Sequence, residues 1–157
     1  MVRELGIPQK QLEAIQAFNK NQVEYLLIGG YAMRFYGASR SAMDVDLFTS
    51  NSTNNASRLF SAIESLIGHA PGFVLQELDQ PRKKVNFHTD GYELEILTSI
   101  DGIDFDAAYQ KRRLTIEKDV VIPVVSKADL LFIKRLAAQD EKRREKELPD
   151  IVFLQSL

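Results

Sequence analysis

The sequence predicts an α/β domain, and three observations carry that expectation. Segments with apolar residues at helical spacing alternate with short apolar runs of strand length, glycine and Asp-Gly punctuate the joints between them, and no window is apolar for long enough to span a membrane. The 157 residues suit a single domain with a substantial core. Within it, an α/β core over residues 1–125 and a C-terminal helical segment over 126–157 packed on that core are expected.

Taken in order, QKQLEAIQAFNK places Leu12, Ile15 and Phe18 on one helical face, and VEYLLIGG is a short strand stopped by Gly29 and Gly30. GGYAMRFYG has room for two turns of helix ending at Gly37, and DVDLFT reads as a strand. NNASRLFSAIESLIG is an amphipathic helix with Leu59, Ile63 and Ile67 on one side. FVLQEL and KKVNFHT read as strands, Asp90-Gly91 as a turn and YELEILTSI as a further strand. IDFDAAYQKR is a short helix. VVIPVV is expected at the sheet edge, because Pro123 cannot donate to a ladder. From Ser126 the chain reads as helix, SKAD fitting a capping box with Ser126 as N-cap and Asp129 three residues on, and Pro149 is expected to break that helix in two. The charged run QDEKRREKE reads as a solvated face or connection.

Composition excludes several chemistries. Lys plus Arg is 20 and Asp plus Glu is 22, a net charge of −2, so any contact with a nucleic acid would have to be local. No cysteine is present, which removes disulfides, thiolate metal sites and cysteine nucleophiles. MVRELGIPQKQ has no apolar core of signal-peptide length, and a soluble cytoplasmic protein without membrane contact is expected. His69 and His88 have no metal-ligand spacing to each other and read as surface or packing residues. PRKK at 81–84 and KRR at 111–113 read as solvated loop charges. Tyr25, Phe35, Tyr36, Phe48 and Phe60 suit core faces.

One stretch, LLIGGYAMRFYGASRSAMDVDLFTS, asks for more than packing. On a strand Asp44 and Asp46 point to the same side, and two converging carboxylates call for a cation, most simply a divalent metal held by oxygen ligands. Gly29 and Gly30 at a strand-to-helix turn remove side chains where backbone could approach phosphate oxygens, and the helix that follows offers free N–H groups. Tyr31, next in line, could border a nucleotide. Glu93 and Glu95 share one face of the later strand by the same period of two. Lys134, in the otherwise apolar ADLLFIKRLAAQ, can lay its stem on the core and bring its ammonium to a pocket that holds an anion.

The order of apolar strand, Gly-Gly, short helix, linker carrying Arg40 and Asp-x-Asp opening a strand resembles the nucleotidyltransferase superfamily typified by DNA polymerase beta. IGGYAMRFYGASRSAMDVDLF is most similar to small bacterial nucleotidyltransferase-like proteins, some related to abortive-infection toxins, and to lincosamide and aminoglycoside nucleotidyltransferases. The resemblance implies a mixed, twisted sheet flanked by helices, with Mg²⁺ or Mn²⁺ on Asp44, Asp46 and a third carboxylate, for which Glu95 aligns best. It implies a nucleoside triphosphate beside Gly29, Gly30, Tyr31, Arg40, Lys134 and Asp150, the last expected to open the final helix. It further implies transfer of a nucleoside monophosphate to a hydroxyl of an RNA (tRNA included), a protein or a small molecule, with release of pyrophosphate. Glu95 stands where the family usually has Asp, and Arg143 and Arg144 are offset from the family's last arginine. The resemblance therefore leaves room for a non-catalytic binding or regulatory member of a toxin-antitoxin type system. Which acceptor, which nucleotide and whether the chain forms an oligomer stay open.

Overall fold

The computed structural model describes residues 4–72 and 75–157. Helix α1 (Gln9–Lys20) buries Leu12, Ile15 and Phe18 and leads into β1 (Tyr25–Ile28), buried along its whole length. Helix α2 (Gly29–Phe35) starts at once, and a loop returns the chain to β2 (Val45–Thr49). Ser52 caps α3 (Thr53–Ile67) by accepting a hydrogen bond from the Asn55 N–H at 3.2 Å, and Gly68 ends it in the left-handed region at φ 75°. Buried Asn55 also accepts from the Glu24 N–H and donates to the carbonyls of Glu24 and Ser50, tying the entry of β1 to the exit of β2.

The expected strand over FVLQEL is not found: residues 75–78 form a helical turn, α4 (Leu75–Leu78), while Phe73 and Val74 lie outside the described residues. Leu75 and Leu78 stand three apart, which brings both to one side of a helical turn. Strands β3 (Lys84–Phe87) and β4 (Leu94–Leu97) follow, joined through Asp90 and Gly91, both at positive φ. Then come α5 (Phe105–Gln110), β5 (Arg113–Glu117), β6 (Val120–Val124), α6 (Lys127–Ala137) and α7 (Glu141–Gln155).

Among the described residues six strands make one mixed sheet in the order β3-β4-β2-β1-β6-β5, with β1–β6 and β2–β4 parallel and the other neighbours antiparallel. This is the mixed sheet flanked by helices expected, with two corrections. VVIPVV is not the edge. The edge is β5, which pairs with β6 through a hairpin whose turn residues Lys118 and Asp119 both have positive φ, 49° and 68°. Pro123 is tolerated inside because the parallel ladder to β1 begins one residue later, at Leu27 opposite Val124.

The second correction concerns Pro149. The C-terminal helices separate at 138–140, where Asp140 caps α7, and Pro149 sits within α7, so Asp150 does not open the final helix. The bond forfeited there is to the carbonyl of Glu145, an exposed residue, where water can substitute. Ser126 caps α6 as expected, but Asp129 turns to Lys111 at 3.2 Å. Leu26, Leu27, Val45, Leu47, Leu94 and Ile96 anchor the core, each fully buried and each contributing about 1.5–3 kcal/mol. Among the described residues no helix is long and apolar enough to cross a membrane.

Candidate functional site

Asp46 occupies the middle of three strands. On one side it pairs with Ile28, the residue before Gly29, and on the other with Glu95. Side chains at paired positions share a face, so this register brings the Asp46 and Glu95 carboxyls together beside the Gly-Gly turn. Gly29 has φ +72°, and a β-carbon there would lie 2.9 Å from Cβ and Cγ of Asp46. The glycine therefore serves the carboxylate's own seat as well as leaving backbone exposed. Gly30 makes room for Ala42, whose β-carbon would be 2.9 Å from one on Gly30.

Both glycines, Asp46 and Glu95 line a cavity of about 470 Å³ closed on its other side by α6 and α7. Burial first, then the charges of Glu95 and Asp44, push the Asp46 carboxyl up to about 7. Lys84 reaches Glu95 at 3.4 Å. Asp44 precedes β2, is half-buried and stands on the same face of the sheet, one row further out. In that outer row Asp44, His88 and Glu93 offer ligand atoms all within 4.8 Å of one another. Tyr31 does not line the cavity: its ring is buried and its hydroxyl donates to the Ala42 carbonyl at 3.1 Å, pinning the 36–44 loop against α2.

The opposite wall carries a cluster of two cations and two acids, with Lys134, Glu147 and Asp150 buried. Lys134 lies 3.0 Å from Glu147 and 2.9 Å from Asp150, and Asp150 is also paired with Arg40. Burial lowers the Lys134 ammonium's pKa, against the opposing pull of Glu147. Lys134 and Arg40 thus come together across the cleft from the carboxylates, held by two acids of α7. Glu147 was hidden in the charged run 139–147. Its neighbours are exposed, whereas Glu147 is buried, at a position three before Asp150 on the same helix face. Arg143 lines the cavity and lies 3.4 Å from Glu147, while Arg144 turns to the carbonyls of Ala138 and Gln139. Arg82, Lys83 and Lys146 also line the cavity, with Asp101 3.5 Å from Arg82.

No known family's sequence pattern matches the chain, and no curated protein is similar to it in sequence. Among solved structures it is similar to an antigenic nucleotidyltransferase-like protein from Paracoccidioides brasiliensis, with a TM-score of 0.52 over 94% of this chain and 77% of that one, at 16% identity. The fold is nucleotidyltransferase-like. An acidic sheet face beside a Gly-Gly turn therefore sits in an architecture shared with that protein.

Proposed function

We propose that the chain is a nucleotidyltransferase that moves a nucleoside monophosphate from a nucleoside triphosphate to a hydroxyl acceptor. The observation that carries this reading is the register of Asp46 with Glu95 at the Gly29-Gly30 turn, facing Lys134 and Arg40 across one cavity. An Asp46 carboxyl raised to about 7, by burial first and then by the charges of Glu95 and Asp44, sits in a cluster that a cation would relieve, and its all-oxygen donors suit Mg²⁺. Asp44, Asp46 and Glu95 would hold that ion, which when bound supplies charge neutralisation at the phosphates and acidifies the attacking hydroxyl.

The chain's own groups do the rest. The backbone at Gly29 and Gly30, free of side chains, receives phosphate oxygens. Lys134 and Arg40 offset the charge that builds on the departing pyrophosphate, and Glu147 and Asp150 hold both cations at the wall before substrate arrives. The acceptor oxygen bonds to the α-phosphorus, the bond to pyrophosphate breaks, and Glu95 takes the hydroxyl proton. Tyr31 acts only through the loop it pins.

Calorimetry with each of the four nucleoside triphosphates and Mg²⁺ tests the reading. The wild type should bind at least one, and an Asp44→Asn, Asp46→Asn double variant should bind none. A wild type that binds no nucleotide sinks the proposal. Acceptor-dependent release of pyrophosphate, with total RNA, candidate proteins and small hydroxyl compounds as acceptors, then separates a transferase from a protein that only binds.

A further inference from the structure

We propose that Asp44, His88 and Glu93 form a second metal site, one that takes a zinc-class transition ion rather than Mg²⁺. The three come together through sheet register. Val45 pairs with Leu94 across β2–β4, and Phe87 pairs with the same Leu94 across β3–β4. The residues next in line, Asp44, Glu93 and His88, therefore extend one row across three adjacent strands and share one face. The Val45 N–H, donating to the Glu93 carbonyl at 3.0 Å, continues the ladder into that row. His88 Nδ1 contacts Glu93 Oε2, and the three ligand atoms lie within 4.8 Å of one another. Small side-chain rotations from that spacing would bring all three ligands to about 2.0–2.2 Å from a common ion.

Charge sets this row apart from the inner one. In the inner row Glu95 has Lys84, and Lys134 contributes its field at Asp46. Among the described residues no lysine or arginine is paired with Asp44 or Glu93; His88 contacts Glu93, and Asp44 has a ligand atom within 4.8 Å of both. Two converging carboxylates thus lack a fixed cation, and the third member of the group is an imidazole. Mg²⁺ prefers oxygen ligands alone, whereas an imidazole nitrogen favours zinc and its neighbours in the first transition row. Three protein ligands on a half-exposed surface leave the fourth position to water, the make-up of an open zinc site. Two residues along a strand separate the rows by about 6.6–6.8 Å, so the site adjoins the inner carboxylates without replacing them. Asp44, with two oxygens, belongs to both.

The test needs no nucleotide. Co²⁺ titrated into the wild-type chain should produce visible ligand-field absorption at one equivalent, abolished by Zn²⁺ but not by a large excess of Mg²⁺. His88→Ala and Glu93→Gln should each weaken Co²⁺ binding by at least about tenfold, a loss of the size outer partners of metal ligands already cause. Asp46→Asn should keep the signal. Circular dichroism identifies any variant that fails to fold, and His88→Asn then replaces His88→Ala with a side chain nearer in size. The proposal is overturned if the wild type gives no absorption, if excess Mg²⁺ abolishes it, or if His88→Ala and His88→Asn bind Co²⁺ as the wild type does. It is also overturned if Asp46→Asn loses the signal, since the ion would then sit in the inner row. The transfer reading is judged separately by Mg²⁺-dependent nucleotide binding, in which His88 has no part.

Discussion

Gly29 and Asp46 occupy positions that exclude any side chain on the first: a β-carbon at Gly29 would lie 2.9 Å from both Cβ and Cγ of Asp46. The turn at φ +72° is itself one that other residues enter at a cost of about 1–2 kcal/mol. Gly29→Ala should therefore destabilise the chain by at least about 2 kcal/mol, since strain and overlap add. Urea denaturation of Gly29→Ala, Asp46→Gly and the double variant checks the cause. Opening the space at Asp46 should recover part of the loss, and a strictly additive double variant would show that the two residues do not press on each other.

Asp46 also sets a pH dependence. Burial, and then the charges of Glu95 and Asp44, push its folded carboxyl up from an ordinary 3.8 to about 7. A raised acid pKa means the folded state holds the proton more tightly than the unfolded one, so stability falls as pH rises from about 4 to about 7 and then levels. The penalty at pH 8 is on the order of 2–4 kcal/mol. Asp46→Asn should remove it: more stable than the metal-free wild type at pH 8, and close to it near pH 4. Denaturation at the two pH values decides, and equal stability at pH 8 would mean that Asp46 ionises freely. Mg²⁺ bound to the native state alone should stabilise the wild type at pH 8, by about 2.7 kcal/mol at a hundredfold excess over its dissociation constant, and leave Asp46→Asn nearly unmoved.

The parts of this site that local rules generate were legible in the sequence. Alternation along a strand places Asp44 with Asp46 and Glu93 with Glu95, and a glycine pair after an apolar run marks the turn beside them. The rest depends on pairings between distant segments. His88 has no meaningful spacing to His69, and only the β3–β4 register sets it beside Glu93. Glu147 looks like one more solvated charge until α7 folds it against Lys134. Strand β5 carries little signal in the sequence, because its hairpin turns through Lys118-Asp119, without the glycine that usually supplies positive φ, and because Leu114 and Ile116 on it remain exposed. Pro149 misled in the opposite direction: one lost helical bond on a solvated side does not outweigh the packing of α7 on α6.

The buried charges on the helical wall give a prediction of their own. Lys134 is 6% exposed, Glu147 1% and Asp150 7%, so removing the lysine strands acids in a place where water cannot replace it. Lys134→Met should cost about 3–5 kcal/mol. Adding Glu147→Leu should return part of that, because Asp150 keeps Arg40 while Glu147 no longer needs a partner. A denaturant midpoint for the double variant at or below that of Lys134→Met would contradict this account.

Glu117 closes the last strand of the sheet onto the start of the chain. Its carboxylate is 4% exposed and accepts from three successive backbone N–H groups, those of Leu5, Gly6 at 3.3 Å and Ile7 at 2.8 Å. These bonds hold Leu5 and Ile7, both nearly fully buried, in the core. Glu117→Ala takes away every one of those acceptors and leaves buried donors unpaired, at about 1–3 kcal/mol for each donor that water cannot reach. Local release of residues 5–7 limits the loss, because the freed amides can then find solvent. The expected signature is therefore twofold: a stability loss of a few kcal/mol, and hydrogen exchange at the amides of Leu5, Gly6 and Ile7 that is faster than in the wild type by a larger factor than in β1 or β2. Glu117→Gln keeps one acceptor oxygen and should fall between wild type and Glu117→Ala in both measurements. Exchange at the three amides that does not change in Glu117→Ala would show that Leu5 and Ile7 hold the segment by packing alone.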